Sequence, residues 1–322
     1  MTLRIGQSQV KTDPGRKRHH NEDSYVFQPP LFAIADGMGG AVAGEVASRL
    51  ATAALKESGA NGGGEQRIAD LIQEANRRVY DRSSTDPNTS GMGTTITVAL
   101  VENEDVAFGH VGDSRAYLIR DARMEQLTED HSLVNELLKT GKLSREEAET
   151  HPQRSVITRA LGTDPDVDVD TFSVRAEDGD LFLLCSDGLT DMVSEDSILA
   201  VVERHRDDID GALRALVKEA NRGGGQDNIT VVAFEITDQV LAQDGDTREQ
   251  ARPDAPSSDD ADTLTEGDAV PTVDTAVVPV EEIRAEDKKI RRRHLRRRLL
   301  AWLVILVLLA AVALFLYARF VR

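Results

Sequence analysis

Seven runs of strand length constrain this chain more than any other feature: "LFAIA", "TTITVALV", "VAFGHV", "RAYLIR", "VDVDTFSV", "DLFLLCS" and "NITVVAFEI", all within residues 1–238. They are rich in β-branched residues and are bounded by Gly, Asp or Asn, the pattern of strands on a buried or half-buried sheet. Helical spacing appears between some of them. "GEVASRLATAALKES" carries small and apolar residues at helical spacing, and "EQRIADLIQEANRRVYDR" repeats Ile68, Leu71, Ile72, Ala75 and Val79 on one face. "DIDGALRALVKEAN" has the same pattern. Pairs of helices interrupt long series of strands, without the strict alternation of a doubly wound sheet. That order predicts an α+β layered sandwich with antiparallel sheets.

From Thr128 to Gly162 there is no strand pattern. "HSLVNELLKTGKLSREEAET" reads as two short helices, and Ser144 with Glu147 has the spacing of a capping box for the second. An insertion of this kind either covers an active site or is a plain structural excursion.

The rest of the chain is organised differently. Residues 239–283 are rich in Asp, Pro, Ser and Thr and poor in large apolar residues. Such a segment buries too little apolar surface to offset its ordering entropy and reads as a disordered acidic linker. Residues 284–298 turn basic, with Lys288, Lys289, Arg291 and five further arginines after it. Leu299–Ala318 carries no charge, and about 20 apolar residues is the length of a transmembrane helix. Only Arg319 and Arg322 follow, so the positive-inside rule keeps the N-terminal body in the cytoplasm and leaves residues 319–322 as a short extracytoplasmic tail. The start, "MTLRIGQSQVKTDPG", has no apolar stretch resembling a signal peptide. The expectation is a single-pass cell-membrane protein. The arginine cluster is either a topology signal or also a site for anionic lipid headgroups.

Composition excludes several chemistries. A formal net charge of −18 argues against nucleic acid as a partner. The one cysteine, Cys185, lies inside an apolar run, so a disulfide framework and a cysteine zinc site are ruled out. It reads as a small buried hydrophobe.

Four carboxylates stand at strand ends. Asp36 follows "LFAIA", Asp113 lies in "HVGDSR" between two strands, Asp187 follows "LFLLCS", and Asp227 precedes the last strand. The glycines after Asp36 lack the G-x-G-x-x-G spacing of a dinucleotide loop, and there is no P-loop. Any one Asp beside Gly is more often a turn residue than a ligand. Four brought together would repel and protonate unless divalent cations held them apart. Oxygen donors without Cys or a His-x-x-x-His pattern suit Mg²⁺ or Mn²⁺ better than Zn²⁺. Two such ions bind a phosphoryl group and activate a bridging water.

At these residues the sequence resembles the metal-dependent protein serine/threonine phosphatases of type 2C, the PPM family. Eight segments carry the likeness in order: "RKRHHNEDS", "FAIADGMGGAVAGEVAS", "GMGTTITVALV", "GHVGDSRAYLIR", "LTEDHS", "ITRALG", "LFLLCSDGLTDMV" and "GGGQDNITVVAFE". It covers about residues 4–236, and similar tails occur on some bacterial members. The resemblance implies a four-layer α-β-β-α sandwich, with residues 128–162 as a flap that contributes to substrate choice. It implies that Asp36 bridges two Mn²⁺ or Mg²⁺ ions and that the Gly37 carbonyl ligates one of them. Asp187 and Asp227 would complete the other site, and Asp113 with Asp187 a third, weaker one. Arg18 would bind the substrate phosphate. Glu22 and Asp23 would hold metal-bound waters, and Asn228 would orient the Asp227 loop. The implied partners are phosphoserine and phosphothreonine proteins at the membrane's inner face, with a membrane-bound serine/threonine kinase as opponent.

One position departs from part of the family. Some members carry His after the Asp-Gly pair, a candidate general acid; here it is Met38, as in many bacterial members. A metal-bound water is the first alternative and His131 a weaker one, while His19 and His20 read as surface residues. Cys185 lacks the C-x₅-R loop of a cysteine phosphatase. Three rival readings remain at this stage: a non-catalytic binding module of the same fold, a metal-dependent phosphodiesterase or nuclease, and a tail-anchored adaptor using the acidic linker.

Overall fold

The computed structural model describes residues 3–238, apart from 41–42, 58–62 and 150. The acidic linker, basic cluster and apolar span expected in 239–322 lie outside the described residues. Among the described residues no helix is long and apolar enough to cross a membrane.

Two antiparallel sheets form the centre. The first runs in the order β1 (Arg4–Asp13), β11 (Ile229–Thr237), β10 (Leu181–Cys185), β7 (Arg115–Arg120), β8 (Arg123–Gln126). The second runs β2 (Asp23–Gln28), β3 (Leu31–Met38), β5 (Ile96–Glu102), β6 (Asp105–Val111), β9 (Asp170–Arg175), with the short β4 (Gly93–Thr94) on β3. Every named pairing is antiparallel.

The period-2 alternation of strand side chains builds the layers. Phe182 and Leu184 of β10, with Val232, Phe234 and Ile236 of β11, face Phe32, Ile34 and Phe108 of the second sheet. Phe32 stacks on Phe234 with ring centroids 4.3 Å apart. Each such fully buried phenylalanine contributes about 2–3 kcal/mol of apolar burial. The intervening residues point the other way. Leu181, Leu183 and Cys185 join Val231 and Ala233 against α6 (Glu195–Arg204) and α7 (Ile209–Gly223). Val26, Ala33, Val98 and Leu100 pack on α1 (Ala43–Glu57) and α2 (Gly64–Thr85), including the predicted stripe Ile68, Leu71, Ile72, Ala75, Val79. The result is the expected α-β-β-α sandwich. Cys185 is fully buried, and burial pushes its thiol pKa up to about 12.

The segment from 128 to 162 holds the two expected helices, α3 (Leu133–Lys139) and α4 (Arg145–Glu149). The capping box forms: Ser144 N–H donates to Glu147 Oε2 at 2.9 Å, and Glu147 N–H to Ser144 Oγ at 3.2 Å. Backbone bridges tie the segment to the sandwich at Thr94–Leu161, and to itself at Ser132–Ile157.

Candidate active site

Register brings the carboxylates to one end of the sandwich. Cys185 pairs with Arg115 on one side and Val231 on the other. Asp187 stands two residues past the end of β10, Asp113 two before β7, and Asp227 two before β11. Three neighbouring strands thus present a carboxylate beyond the same edge. From the other sheet, Asp36 is opposite Asp23 across β3 and β2. The sequence reading placed Asp36 after the strand, but β3 continues through Met38 because Gly37 pairs with Thr94 of β4. Asp187 opens α5 (Asp187–Thr190), a single helical turn.

Asp36, Asp113, Asp187 and Asp227 line one cavity of about 340 Å³, together with Arg18, Glu22, Gly37, Met38, Asn228 and two residues that the sequence reading missed, Thr95 and Ile157. Thr95 Oγ1 accepts the Asp36 N–H at 3.0 Å, and Thr95 N–H returns a bond to the Asp36 carbonyl at 2.8 Å. Ile157 comes from the 128–162 segment and packs with Ala160 on Met38. The insertion therefore touches the site.

The loop before β2 is laced to the loop before β11. Arg18 Nη2 donates to Asp227 Oδ2 at 2.8 Å. Asn228 is 3% exposed; its Oδ1 accepts from Glu22 N at 2.8 Å, and its Nδ2 donates to the carbonyls of Pro14 at 3.0 Å and His20 at 2.9 Å. The Asn228 side chain thus fixes the Arg18–Glu22 loop more than the Asp227 loop. Ser186, also missed in sequence, donates to Asp23 Oδ2 at 2.9 Å. A Cβ on Gly37 would run into the Gly44 carbonyl, and one on Gly44 into the Glu22 carboxylate. Glycine at both positions permits that close approach of β3, α1 and Glu22.

His131 has a different place. Its Nδ1 accepts the Gly112 N–H at 3.0 Å, and its Nε2 faces Asp170 Oδ2 at 3.0 Å. It is buried outside the carboxylate cavity, and burial lowers its pKa. It anchors the turn that carries Asp113 and is not positioned as a general acid. His19 and His20 are exposed, as expected.

The electrostatics of the cavity are unbalanced. Burial, then repulsion from Asp23, Asp187, Asp227 and Asp113, holds the Asp36 pKa well above the usual carboxylate value. Burial, then Asp113 and Asp227, does the same to Asp187. Burial raises Asp113 to about 7 and Asp23 to about 6, the latter against an opposing hydrogen bond from Ser186. Asp23 Oδ1 and Asp187 Oδ1 are buried and have no hydrogen-bond partner. Among the described residues no three His, Cys, Asp or Glu side chains are drawn into a ready-made ion cage. The carboxylates face one another across the cavity instead. An all-oxygen donor set with unpartnered, mutually repelling carboxylates fits hard divalent cations that keep part of their water shell.

The cavity, an all-oxygen donor set beside one arginine, suits chemistry on a phosphate ester. Residues 16–222 match the family model described as protein phosphatase 2C, and the chain belongs to that family. It is 43% identical over 240 residues to the serine/threonine phosphatase stp of Listeria monocytogenes serotype 4b, spanning 71% of this chain and 95% of that one. It is also similar to the crystal structure of the Mycobacterium tuberculosis serine/threonine phosphatase PstP/Ppp, with a TM-score of 0.67 and 38% identity over 73% of this chain and 99% of that one. A structure of the PstP catalytic domain in complex with two manganese ions gives a TM-score of 0.66 and 36% identity, covering 74% of this chain and 99% of that one. The chain is a protein serine/threonine phosphatase.

Proposed function

We propose that this phosphatase works with Mn²⁺ or Mg²⁺ held in the carboxylate cavity, and that it acts from the cytoplasmic face of the membrane. The observation that carries the first part is the set of repelling carboxylates, Asp36, Asp113 and Asp187, around a cavity with Asp227 and one arginine at its rim. Asp36, the Gly37 carbonyl, Asp187 and Asp227 would hold two core ions, and Asp113 with Asp187 a third. Bound there, the ions supply Lewis acidity and an activated water for in-line attack at phosphorus.

The chain's own groups do the rest. Arg18 is held by Asp227 through one N–H; a guanidinium has five, so donors remain for phosphoryl oxygens. Glu22, which lines the cavity, and Asp23, opposite Asp36 on β2, would be acceptors for ordered water, and the Asn228 side chain keeps the Arg18 loop in place. Met38 and Ile157 give the cavity an apolar lip. Met38 donates no proton, and His131 faces away, so the leaving oxygen takes its proton from solvent at the site.

The test uses the full chain purified free of metal. Phosphate release from a phosphothreonine peptide is expected only on addition of Mn²⁺ or Mg²⁺. No release from folded protein at any concentration of either ion sinks the metal reading. Release from bis-p-nitrophenyl phosphate but not from the peptide would point to a diesterase instead.

The membrane part rests on the uncharged stretch Leu299–Ala318 and the basic cluster before it. A kinase anchored at the same face would be the natural opponent, because shared anchoring raises effective concentration. Cell fractionation is expected to put the chain in the membrane pellet, resistant to high salt and released by detergent. Removing residues 299–322 should free it. A full-length chain found in the soluble fraction would overturn this.

A further inference from the structure

The reaction cavity opens across Asp113 and Asp187 into a larger groove of about 1110 Å³. One wall is the 128–162 segment, and the other is α5 with the start of α6. A phosphorylated side chain seated in the first cavity needs a path for the polypeptide that carries it. This groove is continuous with that cavity and has room for several residues.

Its charge is one-sided. Apart from the shared Asp113 and Asp187, five carboxylates and two arginines line it. Arg115 is taken up by Asp130, through Nε to Oδ1 at 2.9 Å and Nη2 to Oδ2 at 2.7 Å. Arg154 faces Asp191 at 4.0 Å. Glu129 is met by Lys139 at 2.5 Å, on the flap side. The wall formed by α6 is more open. Glu195 Oε1 accepts the Tyr117 hydroxyl at 3.2 Å and lies 3.8 Å from Arg115, an arginine already committed to Asp130, but its side chain stays 54% exposed, and Asp196 beside it is exposed. Both are in the first turn of α6, where the helix dipole stabilises them as carboxylates.

We propose that this groove binds the polypeptide flanking the phosphorylated residue and selects basic side chains there, through Glu195 and Asp196. The inference rests on the phosphatase reading of the adjoining cavity. An acidic flank would set like charges against the α6 wall, where Arg115 is taken by Asp130 and Arg154 already faces Asp191, and like-charge juxtaposition suppresses wrong partners. A Lys or Arg flank finds two exposed acceptors on a rigid helix end.

The experiment compares three substrates with the full chain in detergent and Mn²⁺: a phosphothreonine peptide flanked by Arg, the same peptide flanked by Glu, and p-nitrophenyl phosphate, which is too small to reach α6. The Arg peptide is expected to exceed the Glu peptide in kcat/KM by about tenfold at low ionic strength, falling to about threefold at roughly 0.5 M salt. In the double variant Glu195→Gln, Asp196→Asn the ratio should fall to within about twofold, with p-nitrophenyl phosphate turnover unchanged. Equal rates for the two peptides, or preference for Glu, while p-nitrophenyl phosphate is hydrolysed, would overturn the groove alone. Loss of all three activities in the wild type would overturn the phosphatase reading beneath it. If the double variant melts below the wild type, the salt dependence of the wild-type ratio decides: a ratio that does not move with salt overturns the proposal.

Discussion

Asp36→Asn is expected to lower phosphate release at least a thousandfold and, in the metal-free protein, to raise the melting temperature. The first effect follows from the position of Asp36, the carboxylate that faces Asp23, Asp187, Asp227 and Asp113 at once. A thousandfold corresponds to about 4 kcal/mol of lost transition-state stabilisation. The second effect has the opposite sign because the same charge is a burden without cations. Asn keeps the volume, and the bonds that hold the strand at this point are backbone ones, to Thr95 and Thr94. Only the repulsion goes. Relief of about 1–2 kcal/mol would appear as roughly 3–6 °C in a domain of this size.

The pH dependence fixes the sign independently. Asp23 and Asp113 have folded pKa values raised to about 6 and about 7, above an unfolded value near 4. Between those limits the native state holds more protons than the unfolded one, so metal-free stability falls as pH rises from about 4 to 7. Asp36→Asn removes one repelling charge and should flatten that fall. Added Mn²⁺ binds only the native state and should restore stability at neutral pH, more in the wild type than in the variant. Thermal melts across pH, with and without Mn²⁺, read all of this. A metal-free variant that melts several degrees below the wild type would contradict the repulsion, and one that keeps a tenth of the activity would remove Asp36 from the reaction.

The strands missed in the sequence share a position, though β9, read correctly, is terminal too. The seven runs read as strands correspond to β3, β5, β6, β7, β9, β10 and β11. The three longer than two residues that were missed, β1, β2 and β8, are all terminal strands of their sheets. A terminal strand has solvent on one side and carries polar residues to discourage further pairing, and "RIGQSQVKTD" and "RMEQ" show it. α6 was also missed, although Ser194 caps it and Ile198, Val201 and Val202 keep helical spacing. The carboxylates were legible because each adjoins a recognisable strand, and antiparallel register then gathers them. What joins them to Arg18 was not, since the Arg18–Asp227 bond closes a separation of 209 residues between two loops. The segment at 128–162 was legible as an insertion, but its contact through Ile157 on Met38 depends on how the bridge at Leu161 turns it back toward β4.

Asn228→Leu should be the most destabilising single change near the site, and Asn228→Asp nearly as harmful for a different reason. The side chain satisfies three backbone groups, the Glu22 N–H and the carbonyls of Pro14 and His20. Leucine fills similar space and satisfies none of them. At about 1–3 kcal/mol for the buried Glu22 N–H and less for each of the two part-buried carbonyls, the total is on the order of 3–6 kcal/mol, or a fall of roughly 10–20 °C. Aspartate still accepts from Glu22 N, but it turns an oxygen toward two carbonyls and adds a negative charge beside Asp227. Only an amide both accepts and donates here, which is why the motif reads Asp-Asn and not Asp-Asp. The loop has a second tie, from Arg16 N and Lys17 N to the Gly225 carbonyl at 2.7 and 3.2 Å, so the fold should survive while Arg18 loses its position. The kinetic signature is then a higher KM for phosphopeptide, with kcat/KM down by about a hundredfold, because Arg18 contributes binding to substrate and transition state alike. A leucine variant that melts within 2 °C of the wild type, or one whose loss falls on kcat alone, would show that the loop is held by something other than this amide.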